Sequence, residues 1–119
     1  MSPRLNRHVA AAALCLALPA AAFAHHGWSS YDSEKVIRHT GPLQDVAWRN
    51  PHAEAKVEYQ GKLWQVVLAP LSRLEARGLP KEALPSGTIA TLEGYPRTDG
   101  TPEMRLERIT VAGKTVELR

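Results

Sequence analysis

Residues 53–59, AEAKVEY, alternate apolar Ala53, Ala55, Val57 and Tyr59 with charged Glu54, Lys56 and Glu58. A period of two places successive side chains on opposite faces of a strand, so this run specifies one buried face and one wet face. Gln60-Gly61-Lys62 reads as a short hairpin connection,. The run LWQVVLA at 63–69 is the returning strand, and its more apolar composition places it nearer the centre of a sheet,. Upstream, residues 36–48, VIRHTGPLQDVAW, form a long extended segment. Gly41-Pro42 in its middle marks a bulge or sharp bend, where a strand can coil and change face. Asn50-Pro51 marks the turn that follows,.

After residue 69 the pattern turns helical. Ser72 with Glu75 three residues on reads as a capping box, Leu71 and Leu74 as an apolar stripe, and Gly78 as a stop,. A helix of about two turns is expected. Pro80, Pro85 and Gly87 carry the connection. TIATLEGYPR at 88–97 is the next strand, Thr98-Asp99-Gly100 a turn, and EMRLERITV at 103–111 the antiparallel partner,. Met104 and Leu106 share one parity and Ile109 and Val111 the other, which predicts a bulge near Glu107-Arg108,. KTVELR at 114–119 adds a last edge strand.

Three strands, a short helix and two strands, opened by a long bent strand, is the connectivity of an OB-fold, the five-stranded Greek-key barrel. The expected fold is therefore all-β with one short helix, a small OB-like barrel of five to six strands over 35–119. Closure removes the exposed edges that a small open sheet would carry. An open meander sheet with the helix across one face is the alternative.

The first fifth of the chain reads differently. Residues 1–24 combine Arg4 and Arg7, an apolar run from Val9 to Leu18, a break at Pro19 and the small-x-small triplet Ala22-Phe23-Ala24. That is the pattern of a cleaved secretory signal peptide, and the apolar run is too short to span a bilayer, which takes about 20 residues. The predicted location is periplasmic. Cys15 is the single cysteine of the 119 residues; it lies in the leader, and Leu14 before it does not suit lipidation. The remaining 95 residues have no cysteine, so stability in an oxidising compartment must come from packing,. The 15 basic residues fall to 13 on loss of Arg4 and Arg7, against 12 acidic ones. No basic tract remains, which argues against nucleic-acid binding and against attachment to a membrane after cleavage.

Cleavage after Ala24 makes His25 the first residue and His26 the second. A terminal amine and an imidazole both offer lone pairs near neutral pH and can chelate one ion together. His26 adds a second imidazole or a chelating backbone amide. Copper(II) favours such nitrogen-rich tetragonal sites, and zinc accepts the imidazoles. His52, beside Asn50-Pro51 on the rim of the expected barrel, is the candidate that completes a brace of two rings and one amine. The competing reading is a solvated terminal His pair that serves nothing. For His39, on a strand, a structural role is favoured over ligation. Only Met104 survives as a methionine, which argues against a soft copper(I) site,.

The tryptophans give a second reading, a module that holds a small ligand, a glycan or a protein partner by stacking. Trp64 sits on a central strand and is expected in the core. Trp48, before the turn, and Trp28, in an irregular arm over 25–34, are the candidate stacking residues; Trp28 could also pin the arm to the barrel.

Enzymatic constellations are thin, and no enzyme is predicted. Ser29, Ser30 and Ser33 lie near Asp32 without a strand-to-helix nucleophile elbow,. Glu54 and Glu58 flank Lys56 as solvated charge. No Gly-rich phosphate loop and no helical H-E-x-x-H occurs.

The Ala-His-His triplet with Trp28, then Val46-Ala47-Trp48-Arg49-Asn50-Pro51-His52, Leu63-Trp64 and Gly94-Tyr95, resemble a family of short exported bacterial proteins classed as a domain of unknown function. The resemblance runs over the whole mature chain. That family often has Ser after the His pair, where this chain has Gly27. The resemblance implies export and a single small β-rich domain, and it strengthens the claim of His25, His26, Asn50 and His52 to matter. It brings no activity.

Overall fold

The computed structural model describes residues 27–119. The expected signal peptide with Cys15, and His25 and His26, lie outside the described residues. The chain runs from a 3-10 turn at Trp28–Ser30 through β1 (Ile37–Pro42), β2 (Gln44–Ala47), β3 (Glu54–Tyr59) and β4 (Lys62–Val67) to helix α1 (Leu71–Ala76). A second 3-10 turn (Lys81–Ala83), β5 (Ile89–Pro96), β6 (Glu103–Val111) and β7 (Lys114–Glu117) complete it.

The strands form one curled sheet in the order β1-β5-β6-β4-β3-β2, with β7 added to β6. Strands β4 and β6 pair in parallel; every other pairing is antiparallel. The two ends of that order, β1 and β2, are successive parts of one segment, so the half-barrel returns on itself through a single residue, Leu43. This is the OB-like arrangement expected, with the helix between the third and fourth strands of the barrel.

Leu43 explains why the opening segment counts as two strands. Its side chain is fully buried. Its N–H donates to the Thr88 carbonyl at 2.9 Å and its carbonyl accepts from Gly87 N–H at 2.6 Å. Before it the chain pairs with β5, and after it with β3. The bend thus lies one residue past Gly41-Pro42.

The core is the inward parity of each strand. Ala55 and Val57, Val66, Ala90 and Leu92, and Met104, Leu106 and Ile109 are all buried, with Leu74 of α1 closing one end. The predicted bulge is present: Glu93 faces Arg108 while Gly94 faces Leu106, which leaves Glu107 as the extra residue. Two expectations need correction. Ser72 does not cap α1; the helix begins at Leu71 with Pro70 in the cap position and no side-chain cap bond. Ser72 is the second helical residue, already inside the first turn and not in the flanking position from which a side-chain oxygen caps the free N–H groups,. Trp64 is half-buried against the edge of the core rather than within it, edge-on to Tyr59 at 5.5 Å. His39 also packs edge-on to Tyr59, at 5.2 Å, a structural role.

Candidate functional site

The outward parity of β3, β4 and β6 presents Glu54, Val67 and Glu103 on one surface, because Ala55, Val66 and Met104 point into the core. Across that surface lies the arm. Asp32 N–H donates to the Pro96 carbonyl at 2.8 Å, and Thr98 N–H donates to the Ser30 carbonyl at 3.0 Å. Tyr31 makes an antiparallel bridge with Arg97 between them. The arm is therefore a short added strand on the β5–β6 hairpin over residues 30–32, although its composition has no strand period.

Tyr31 holds the arm down. It is only 7% exposed. Its hydroxyl donates to Glu103 Oε2 at 2.7 Å, and Arg97 Nη1 donates to the same oxygen at 3.2 Å. The Arg97 guanidinium also stands 5.9 Å from the Tyr31 ring centre and pairs with Asp99. Burial, with the Glu103 carboxylate second, pushes the Tyr31 hydroxyl far above its ordinary range,. Trp28 is clamped nearby, edge-on to Tyr95 at 6.1 Å, with the guanidinium carbons of Arg105 and Arg119 each 4.5 Å from its ring centre. Trp28 thus pins the arm. Its ring is occupied by two cations, which leaves little of it for stacking a ligand.

Pro51, His52, Glu54, Val67, Glu103 and Tyr31 enclose a cleft of about 220 Å³. The peptide between Asn50 and Pro51 is cis. Glu54 is not the solvated charge its sequence context suggests. It is half-buried, and its Oε2 accepts from Arg49 Nη2 at 2.8 Å and Gln65 Nε2 at 3.1 Å. The cleft is thus lined by His52 and by two carboxylate residues, each of the latter already held by an arginine. Among the described residues no group of three or more His, Cys, Asp or Glu comes close enough to hold a metal ion. Of the three predicted ligands, only His52 can be placed.

Trp48 lies away from this cleft. It is half-buried against the core and lines a second groove with Val46, Leu84 and Pro85. The sequence does not single out Tyr31, Glu54 and Glu103 for this site. Only the Glu54 alternation hints at an outward position; the Tyr31–Glu103 contact spans 72 residues and leaves no local signal.

The described residues define a class, a small OB-like half-barrel with an arm strapped over its outer face. The chain belongs to DUF6152, a family of unknown function whose model matches residues 12–105. No curated protein matches it in sequence. Among solved structures it is similar to a crystal structure of TiaS in complex with a transfer RNA and ATP, at 14% identity and a TM-score of 0.47. That match covers 75% of this chain and 20% of the other, so the chain spans about a fifth of that structure's length. No described helix is long and apolar enough to cross a membrane.

Proposed function

We propose that this is an exported, non-enzymatic periplasmic protein whose mature form begins at His25 and binds copper(II) or zinc. The His25 amine and ring form the chelate, His26 adds a ring or an amide nitrogen, and His52 closes the site. The observation that supports this reading is the shared cleft of Tyr31 and His52. Tyr31 stands six residues after His25. A chain of that length reaches at most about 20 Å. Because Tyr31 is fixed by Glu103, a mature terminus at His25 would be confined to within about 20 Å of Tyr31, at the rim of the His52 cleft, instead of ranging freely,. Preorganisation of this kind raises affinity by lowering the ordering cost of binding.

The nitrogen-rich donor set favours copper(II) over harder ions. Calorimetric titration of the mature protein with copper(II) tests the reading. One-to-one binding well tighter than that of a His-His-Gly peptide, weakened by one extra residue before His25 and by His52→Ala, is expected. Affinity equal to the peptide's would remove the brace. Mass spectrometry of the protein recovered from periplasm tests export, with loss of residues 1–24 as the expected result.

A further inference from the structure

We propose that the groove between β2 and residues 81–86 binds a small aromatic zwitterion, a compound built like a free aromatic amino acid. This site is separate from the metal reading and does not depend on it. The groove holds about 350 Å³, at the low end of ligand pockets and over twice the roughly 150 Å³ cavity that accommodates benzene.

Its floor is apolar: Trp48, Val46, Leu84 and Pro85. The indoles of Trp28 and Trp64 are engaged by other rings or by cations. The half-buried Trp48 indole has no ring, cation or hydrogen-bond partner among the described residues. It offers a stacking face and an N–H donor to whatever enters.

The groove exists because β2 departs from regular pairing. Asp45 has a left-handed φ of 46°, and the β2–β3 register is irregular between Gln44 and Ala47. Val46 N–H consequently donates to Ser86 Oγ at 3.1 Å rather than to a strand. A bulge that re-aims side chains beside a cavity is a recurrent feature of binding sites. As an acceptor from Val46, Ser86 keeps its own O–H for a ligand.

The rim selects the charge. Lys81 and Glu82 are adjacent on one 3-10 turn, line the groove, are exposed, and neither is in an ion pair among the described residues. A ligand with one charge would meet a like charge beside its partner. A zwitterion satisfies both, with its carboxylate at Lys81, its ammonium at Glu82 and its ring on Trp48. A sugar would strand hydroxyls against the apolar floor.

The test is a titration of ¹⁵N-labelled protein with L-phenylalanine, phenylacetate, phenethylamine and glycine, followed by two-dimensional NMR. L-Phenylalanine should shift the Trp48 indole N–H and the Leu84 and Ser86 amides saturably. Phenylacetate and phenethylamine should each bind about two- to fivefold more weakly, the scale of one exposed charge contact. Glycine should leave these signals unmoved. Lys81→Ala and Glu82→Ala, both at exposed positions, should each weaken L-phenylalanine by a similar factor. Absence of saturable shifts at Trp48, shifts centred elsewhere, or equal binding of the singly charged analogues would overturn the proposal.

Discussion

The Tyr31 hydroxyl donates to Glu103 at 2.7 Å, joining the N-terminal arm to the start of β6. Arg97 completes the triad from the neighbouring strand turn. This contact converts an unpatterned segment into part of the sheet and brings it to the rim of the His52 cleft. Removing the hydroxyl in Tyr31→Phe should cost about 1.5–3 kcal/mol, the range for a hydrogen bond to a charged group. Urea denaturation measures it.

The same contact sets an alkaline limit. The folded state raises the Tyr31 pKa above its ordinary value of 10. The unfolded chain therefore releases this proton first, and above pH 10 the folded state retains more protons than the unfolded one,. The contribution is intact below about pH 10 and declines as pH rises through the folded value. Stability of the wild type should fall more steeply above pH 10 than that of Tyr31→Phe, as read from denaturation midpoints at several pH values.

Trp28 carries the second attachment of the arm. Two guanidinium contacts at 4.5 Å contribute about 0.5–1 kcal/mol each,. Trp28→Ala should leave the half-barrel folded, since the ring lies on its outer face, but release residues 27–30. Limited proteolysis should then cut before Tyr31 several times faster, with little change in the global unfolding midpoint.

Gly94 stands where β5 crosses closest to β6. A Cβ there would overlap the Arg105 carbonyl oxygen and lie 3.0 Å from the Leu106 Cα. Neither is a flexible side chain, so the strands must separate beside the Glu107 bulge. Gly94→Ala should destabilise by about 1–3 kcal/mol, as overpacking does, instead of gaining from a less flexible unfolded state. Thermal unfolding gives the sign directly.

Leu43→Ala probes the joint of the half-barrel. Its side chain is fully buried at the residue where β1 ends and β2 begins. A loss of about 2–4 kcal/mol is expected from removed burial and the cavity left behind, and chemical denaturation reads it. With no cysteine after residue 15 to cross-link the chain, that is a large share of the roughly 5–15 kcal/mol typical of a domain.

The strand order is legible in the sequence because the alternation at 53–59 and the parity change between Leu106 and Ile109 are local patterns that burial enforces. The bend is legible too, although Gly41-Pro42 misplaces it by a residue, since the joint is fixed by the burial of Leu43. The Ser72–Glu75 pair misleads because the first turn already closes on the Pro70 carbonyl, which puts Ser72 inside the helix. The site is mostly illegible. His52 can be placed on a rim by the turn before it. Tyr31 and Glu103 meet only through tertiary folding, and Glu54 is held by Arg49 and Gln65, a partnership its own strand pattern does not encode.

Electron paramagnetic resonance of a protein beginning at His25, loaded with one equivalent of copper(II), tests whether His52 joins the terminal histidines on one ion. A tetragonal spectrum with nitrogen couplings from the His25 amine and at least two imidazoles, one of which disappears in His52→Ala, is expected. A spectrum unchanged by His52→Ala and identical to that of a His-His-Gly peptide would contradict it.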